Sequence, residues 1–217
     1  MRYDLPLRSR KKSGPSKKLL SLRDRLVRQR AGYKASSREQ KDILKRKDSE
    51  LLFKVQDRMI RELSKQIKEI ENEMQQIIKS SPELDHIFVL LKTIKCIGDQ
   101  AALFLLVYTG AFTKFRNARQ FSAYCGVAPF PNRSGTSLRG TTRVSHLANK
   151  KMKSLLDMCA KSSICYNMEI KDYYFRRLAE GKSKMSTVNV IRNKLISRVF
   201  AVINRDTPYV DLWKYAS

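Results

Sequence analysis

Residues Leu51–Lys79 read LLFKVQDRMIRELSKQIKEIENEMQQIIK. Apolar side chains fall at Leu52, Val55, Met59, Leu63, Ile67, Ile70, Met74 and Ile77, always three or four residues apart. That spacing draws one apolar seam along an α-helix, and consecutive steps of four near Met59 make a stutter in it. Glu62, Lys65, Lys68, Glu69, Glu71 and Glu73 flank the seam, and neither Gly nor Pro occurs between Tyr33 and Ser81. The pattern predicts a long amphipathic helix, roughly 60 Å for about 40 residues. A stripe so narrow must be covered. Either the preceding basic segment folds back onto it, or a second chain supplies the surface. The reading favours the second: a coiled-coil linker through which residues 41–79 make a homo-oligomer.

Working outward, Ser16–Lys34 (SKKLLSLRDRLVRQRAGYK) reads as a basic helix that starts at Ser16 and ends at Gly32. Residues 16–80 are thus a helical linker, and Ser81-Pro82 closes it. Residues 83–217 predict a compact helical domain. Asp99 opens a helix that Gly110 closes, and Asn117 opens a short one closed by Gly126. Residues 127–147 read as loop. Asn149 to about Ser163, Asn167 to Glu180, and a last helix from Ser186 or Thr187 to Pro208 complete the domain. Strand signals are weak throughout, so the expected fold class is all-α.

The chain of 217 residues carries 45 Lys+Arg against 20 Asp+Glu, a net charge of +25. Self-repulsion of that size points to a polyanionic partner, nucleic acid before membrane. The longest apolar run, Ala101–Tyr108, is far short of the roughly 20 residues a bilayer span needs. The four cysteines and two histidines have no metal-ligand spacing, so free thiols in a reducing cytoplasm are expected. Residues 41–80 are nearly balanced, with 10 basic and 8 acidic groups, whereas residues 1–40 hold 13 basic and 3 acidic.

No carboxylate lies between Asp99 and Asp157, an interval holding nine Lys or Arg. A segment without carboxylates cannot itself bind the divalent ions of a metal-dependent nuclease. Chemistry on a phosphodiester there needs a hydroxyl nucleophile and positive charge instead. Ser134 sits in Asn132-Arg133-Ser134-Gly135-Thr136-Ser137, near Arg139 and Arg143. Guanidinium groups suit phosphate oxygens and stabilise a pentacoordinate transition state. Equally, Ser-Gly-Thr-Ser reads as a capped turn. Ser137 and Tyr124 are rival nucleophiles, although Tyr124 also reads as core, and His146 as a cap. Thr93–Ala102 resembles the hairpin of a helix-hairpin-helix module. There Lys95, the backbone around Gly98 and a helix N-terminus would meet a phosphate, although Cys96 stands where such hairpins carry a first Gly. Lys114, Arg116, Arg119 and Lys150 complete the candidate nucleic-acid contacts, with Arg133, Gly135, Arg139 and Arg143.

Leu91–Gly98, followed by FTKFRNARQFSAYCGVAPFPNRSGTSLRGTTRVSHLANKKMKSLL (Phe112–Leu156), resembles the C-terminal half of IS110-type insertion-sequence transposases. The resemblance implies a recombinase of two parts. One is an N-terminal RuvC-like half holding divalent metal on a D-E-D-D carboxylate set. The other is a C-terminal half whose serine becomes linked to DNA. The parts assemble as oligomers around DNA and a structured guide RNA. By motif, that serine is Ser134, with Ser137 its alternative. The RuvC-like half has no counterpart here. Residues 1–15 read as its remnant, and the chain as a truncated portion, inactive alone, needing no cofactor of its own. The competing reading is a non-catalytic nucleic-acid-binding regulator that associates with full-length transposase.

Overall fold

The computed structural model describes residues 13–43, 50–128, 130–134, 138–143 and 147–211. Two helices, α1 (Ser13–Ile43) and α2 (Glu50–Lys79), make up the described part of the first of two compact units, Met1–Pro82. They run antiparallel. Arg23 Nε donates to Glu71 Oε1 at 2.8 Å, Arg30 to Ser64 at 3.3 Å, and Gln56 to Gln40 at 2.7 Å, so sequence positions rise on one helix as they fall on the other. Leu63, Ile67, Met74 and Ile78 of α2 are buried, as is Leu20 of α1.

The fold departs here from the sequence reading. The seam over Leu63–Ile78 is covered by the chain's own basic helix, the alternative that the reading had ranked second. The long helix is two antiparallel helices, one ending at Ile43 and the other starting at Glu50. A Gly- and Pro-free run permits a continuous helix but does not require one, and folding back removes the stripe from water within one chain. Gly32 does not end α1, which continues to Ile43, and Ser16 lies inside the helix. Packing against α2 outweighs the ~1 kcal/mol that an interior glycine costs. Only the first turns of α2, with Leu51, Leu52, Val55 and Met59, keep the seam exposed.

The second unit, Glu83–Ser217, is built on α4 (Asp99–Thr109), whose residues Ala101 through Val107 are all buried. A helix apolar on every side belongs at a domain's centre. Around it lie α3 (Pro82–Thr93), α5 (Ala118–Tyr124), α6 (Lys150–Tyr166), α7 (Met168–Ala179) and α8 (Lys184–Arg205). Of the caps predicted at Asp99 and Asn117, the second holds and the first does not: Gly98 is the N-cap of α4, and Asp99 pairs with Lys92. Asn149 and Asn167, read as helix starts, are caps as well. Asn117 accepts from Gln120 N, Asn149 from Lys151 N and Met152 N, and Asn167 from Ile170 N. The last helix begins earlier than expected, with Ser183 accepting from Ser186 N. Residues 127–147, read as loop, hold an antiparallel hairpin of β1 (Phe130–Ser134) and β2 (Leu138–Arg143). Neither strand alternates apolar and polar residues, and Pro131 is tolerated because a two-stranded ladder has only edges. The architecture is otherwise all-α among the described residues.

Deep in this unit Arg192 of α8, 4% exposed, forms an ion pair with Asp157 of α6. Asp157 also binds Lys161 at 2.7 Å. Burial alone would raise the Asp157 carboxyl, but the hydrogen bonds and charges of Lys161 and Arg192 outweigh it and hold the group below the ordinary value. Removing Arg192 leaves a half-buried carboxylate with one partner. Arg192→Ala is expected to lose roughly 3 kcal/mol, the low end for a broken buried pair because Lys161 remains, as a drop in the denaturant midpoint. Because Asp157 titrates lower in the folded chain, its contribution is complete above about pH 4 and fades as pH falls through the folded value. The gap between the wild type and Asp157→Asn should therefore shrink in acid.

Candidate functional site

The carboxylate-free stretch runs from α4 to α6, and neutral groups hold it in place. After α4 the chain turns through three consecutive left-handed residues, Gly110 (φ 61°), Ala111 (φ 52°) and Phe112 (φ 63°). Thr109 fastens that turn by accepting from Phe112 N at 3.0 Å, and the Phe112 ring meets Phe200 edge-on at 5.2 Å. Gly110 suits its place through its positive φ, and the aliphatic stem of Lys114 lies across it, with Cε 2.9 Å from where a Cβ would stand. Arg116 N donates to Gln120 Oε1 at 2.9 Å, and the side chains of Lys114, Arg116 and Arg119 are exposed.

At the far end of α5 sits a hub that the sequence reading did not find. Asn149 N donates to Tyr124 O at 2.8 Å, and Asn149 Nδ2 to Tyr124 Oη at 2.7 Å, while its carbonyl oxygen caps α6. One asparagine thus closes the base of the excursion that carries β1 and β2. Tyr108 reaches the same asparagine. Burial raises its hydroxyl above the ordinary tyrosine value, Tyr124 adds to the rise, and the Asn149 hydrogen bond opposes it. From α8, Asn189 donates to Val127 O at 2.8 Å and Asn193 accepts from Ser122 Oγ at 2.7 Å. Lys151 lies 5.3 Å over the Phe104 ring, and Lys150 is exposed on the first turn of α6.

In the hairpin, Arg133 stands opposite Arg139, Ser134 opposite Leu138 and Phe130 opposite Arg143. Gly135, Ser137 and His146 lie outside the described residues. Lys95 and Gly98 lie at the α3–α4 turn. There Cys96 takes φ 71°, a left-handed conformation that favours glycine, and Gly98 is the N-cap of α4 without a side-chain cap bond. Lys95 reaches Asp211 at 4.0 Å and Lys92 pairs with Asp99 at 2.6 Å. The structure therefore joins Tyr124, Asn149 and the start of α6 directly, and pairs Arg133 with Arg139. It leaves Lys95 and Gly98 at a turn of their own.

Residues 89–175 match the model of the Transposase IS116/IS110/IS902 family. That stretch of the chain is an IS116/IS110/IS902-family transposase domain. The chain is 30% identical over 154 residues to a pilin gene-inverting protein of Moraxella bovis, covering 70% of this chain and 48% of that protein. It is 29% identical over the same length to its counterpart in Moraxella lacunata. It is 28% identical over 120 residues to an insertion element IS110 protein of 43.6 kDa from Streptomyces coelicolor, covering 55% of this chain and 29% of that one. The chain spans about half the length of the pilin gene-inverting proteins.

The transposase domain's buried thiols are not nucleophiles at neutral pH. Burial pushes Cys125 up to about 12, and burial with the nearby Cys96 pushes Cys159 up to about 11. Among the described residues no group of three or more His, Cys, Asp or Glu is placed to hold a metal ion. Among them, too, no helix is long and apolar enough to cross a membrane. Substitutions at two positions test the local geometry. Cys96→Gly should gain about 1 kcal/mol by removing a left-handed side chain. Asn149→Ala should lose about 1–2 kcal/mol with the cap, and Asn149→Ser should recover most of it. All are read from thermal or denaturant unfolding.

Proposed function

We propose that this transposase domain acts on DNA, with Ser134 the nucleophile and the surrounding cations the phosphate grip. The observation that carries the reading is the strand register. Two arginines directly opposite in an antiparallel pair destabilise each other. Arg133 faces Arg139 in register beside Ser134, in a segment without a carboxylate to separate them. A phosphodiester between them would turn that repulsion into two fork-like contacts.

In the reaction the Ser134 hydroxyl loses its proton and its oxygen bonds to phosphorus. The bond from phosphorus to one sugar oxygen breaks, and that oxygen leaves as a protonated hydroxyl. The guanidinium groups lower the cost of the extra negative charge in the pentacoordinate transition state. Attack by a sugar hydroxyl on the phosphoserine reverses these steps and reseals a strand. DNA inversion, the activity in the names of the Moraxella relatives, is one outcome of such cutting and resealing. A structured guide RNA is a second partner. Association between copies uses the exposed first turns of α2, in the nearly charge-balanced part of the chain.

The test uses DNA from both flanks of the gene that encodes the chain, incubated with the protein complemented by the N-terminal half of a full-length relative and analysed by denaturing gel and peptide mass spectrometry. A covalent adduct mapping to Ser134, absent from Ser134→Ala although that variant still binds DNA, is the expected outcome. An adduct that survives Ser134→Ala, or maps to Ser137 or Tyr124, removes Ser134 from the role. Arg133→Gln with Arg139→Gln should weaken duplex binding by about tenfold and flatten its salt dependence by about 1–2 in log–log slope.

A further inference from the structure

Positive charge also gathers on α7 and α8, away from the hairpin. Lys194 Nζ stands 3.8 Å from the centre of the Tyr173 ring, and Arg176 Cζ stands 5.6 Å from the same centre. Arg198, one turn beyond Lys194, donates to Glu169 at 2.5 Å and lies 5.4 Å over Tyr209. Glu169 is therefore engaged by Arg198, while Glu180 is engaged by Arg177 at 2.5 Å with Arg176 at 4.0 Å. Among the described residues Lys194 has no ion pair of its own, and its ammonium rests on a tyrosine face. Burial pulls Lys194 below the ordinary lysine value; Glu169 opposes this, and Arg198 and Arg176 add to it.

Arg176, Arg177, Lys194 and Arg198 thus stand near Glu169, Glu180 and, beside Tyr209, Asp211, and the cations outnumber the carboxylates. An exposed anion with several charges, reached by forked and rotatable donors together, would complete the arrangement. A polynucleotide backbone has that form, and alternating cations with aromatic rings is how proteins track such a backbone. The surface is distinct from the one described above. Asn189 and Asn193 of α8 turn toward Val127 and Ser122, whereas Lys194 and Arg198 turn toward α7. We propose that Arg176 and Lys194 on the Tyr173 ring, with Arg198 over Tyr209, form a second polynucleotide-backbone contact. It is separate from the hairpin and independent of the serine chemistry.

The test is equilibrium binding of the full chain to duplex DNA, single-stranded DNA and a structured RNA across a salt series. Lys194→Gln with Arg176→Gln should bind about tenfold more weakly near 0.15 M salt. Its log K against log salt should flatten by about 1–2, since roughly one counterion is released per phosphate contact. The nucleic acid that shows the loss identifies the strand. Glu169→Gln, which removes a competing carboxylate, should tighten the same complex, and weaker binding by that variant contradicts the proposal. Circular dichroism and the melting temperature establish that each variant is folded. A folded double variant with unchanged affinity and slope on all three nucleic acids overturns the proposal, and it does so without touching the hairpin reading if Arg133→Gln with Arg139→Gln still weakens binding. Loss of binding to phosphatidylserine vesicles, with polynucleotide binding intact, overturns it in favour of a membrane surface.

Discussion

Between Asp99 and Asp157 the chain has no negative side chain with which to neutralise its own cations. The rest of the second unit is organised around that constraint. The segment is secured by amides, hydroxyls and one ring: Asn117 and Asn149 as caps, Gln120 on Arg116 N, Asn189 and Asn193 from α8, and Lys151 over Phe104. Neutral hydrogen bonds of about 1 kcal/mol each suffice for this work. The first carboxylate after the gap, Asp157, turns inward to Arg192 and Lys161 and ties α6 to α8, the two helices on which the clamp rests.

The first unit solves its charge problem in another way. Most of its acidic residues lie on α2 and its basic surplus on α1, so folding back both buries the seam and sets Arg23 against Glu71 at 2.7 Å. This hairpin of helices neutralises part of itself, whereas the segment after α4 does not. Within the second unit the α7–α8 surface is intermediate, with carboxylates present but outnumbered. Neutralisation within the chain is thus graded from one region to the next.

Much of this was legible in the sequence, because helices announce themselves through period and caps. The seam of α2, the caps Asn117, Asn149 and Asn167, and the glycines after α4, α5 and α7 are local signals, and the structure follows them. What covers the seam was not legible, since a stripe of leucine and isoleucine does not specify whether its partner is upstream in the chain or in another copy. The β hairpin was hidden because FPNRS and LRGTTR lack the alternation that betrays a strand with one buried face. At the site, the absence of carboxylates was plain, but the Tyr124–Asn149 clamp was not. It joins residues 25 apart whose separate signals read as core and as helix cap. The register that sets Arg133 opposite Arg139 depends on where the turn falls, which composition does not fix.

The central claim is that the carboxylate-free excursion is completed by a polyanion. Hydrogen exchange of residues 130–143, with and without saturating polynucleotide, tests it most directly. The amides of both strands should exchange more slowly in the complex at low salt and return to the free rate as salt rises, while the buried core of α4 is unchanged. Equal exchange in the two strands, free and saturated, would contradict the account.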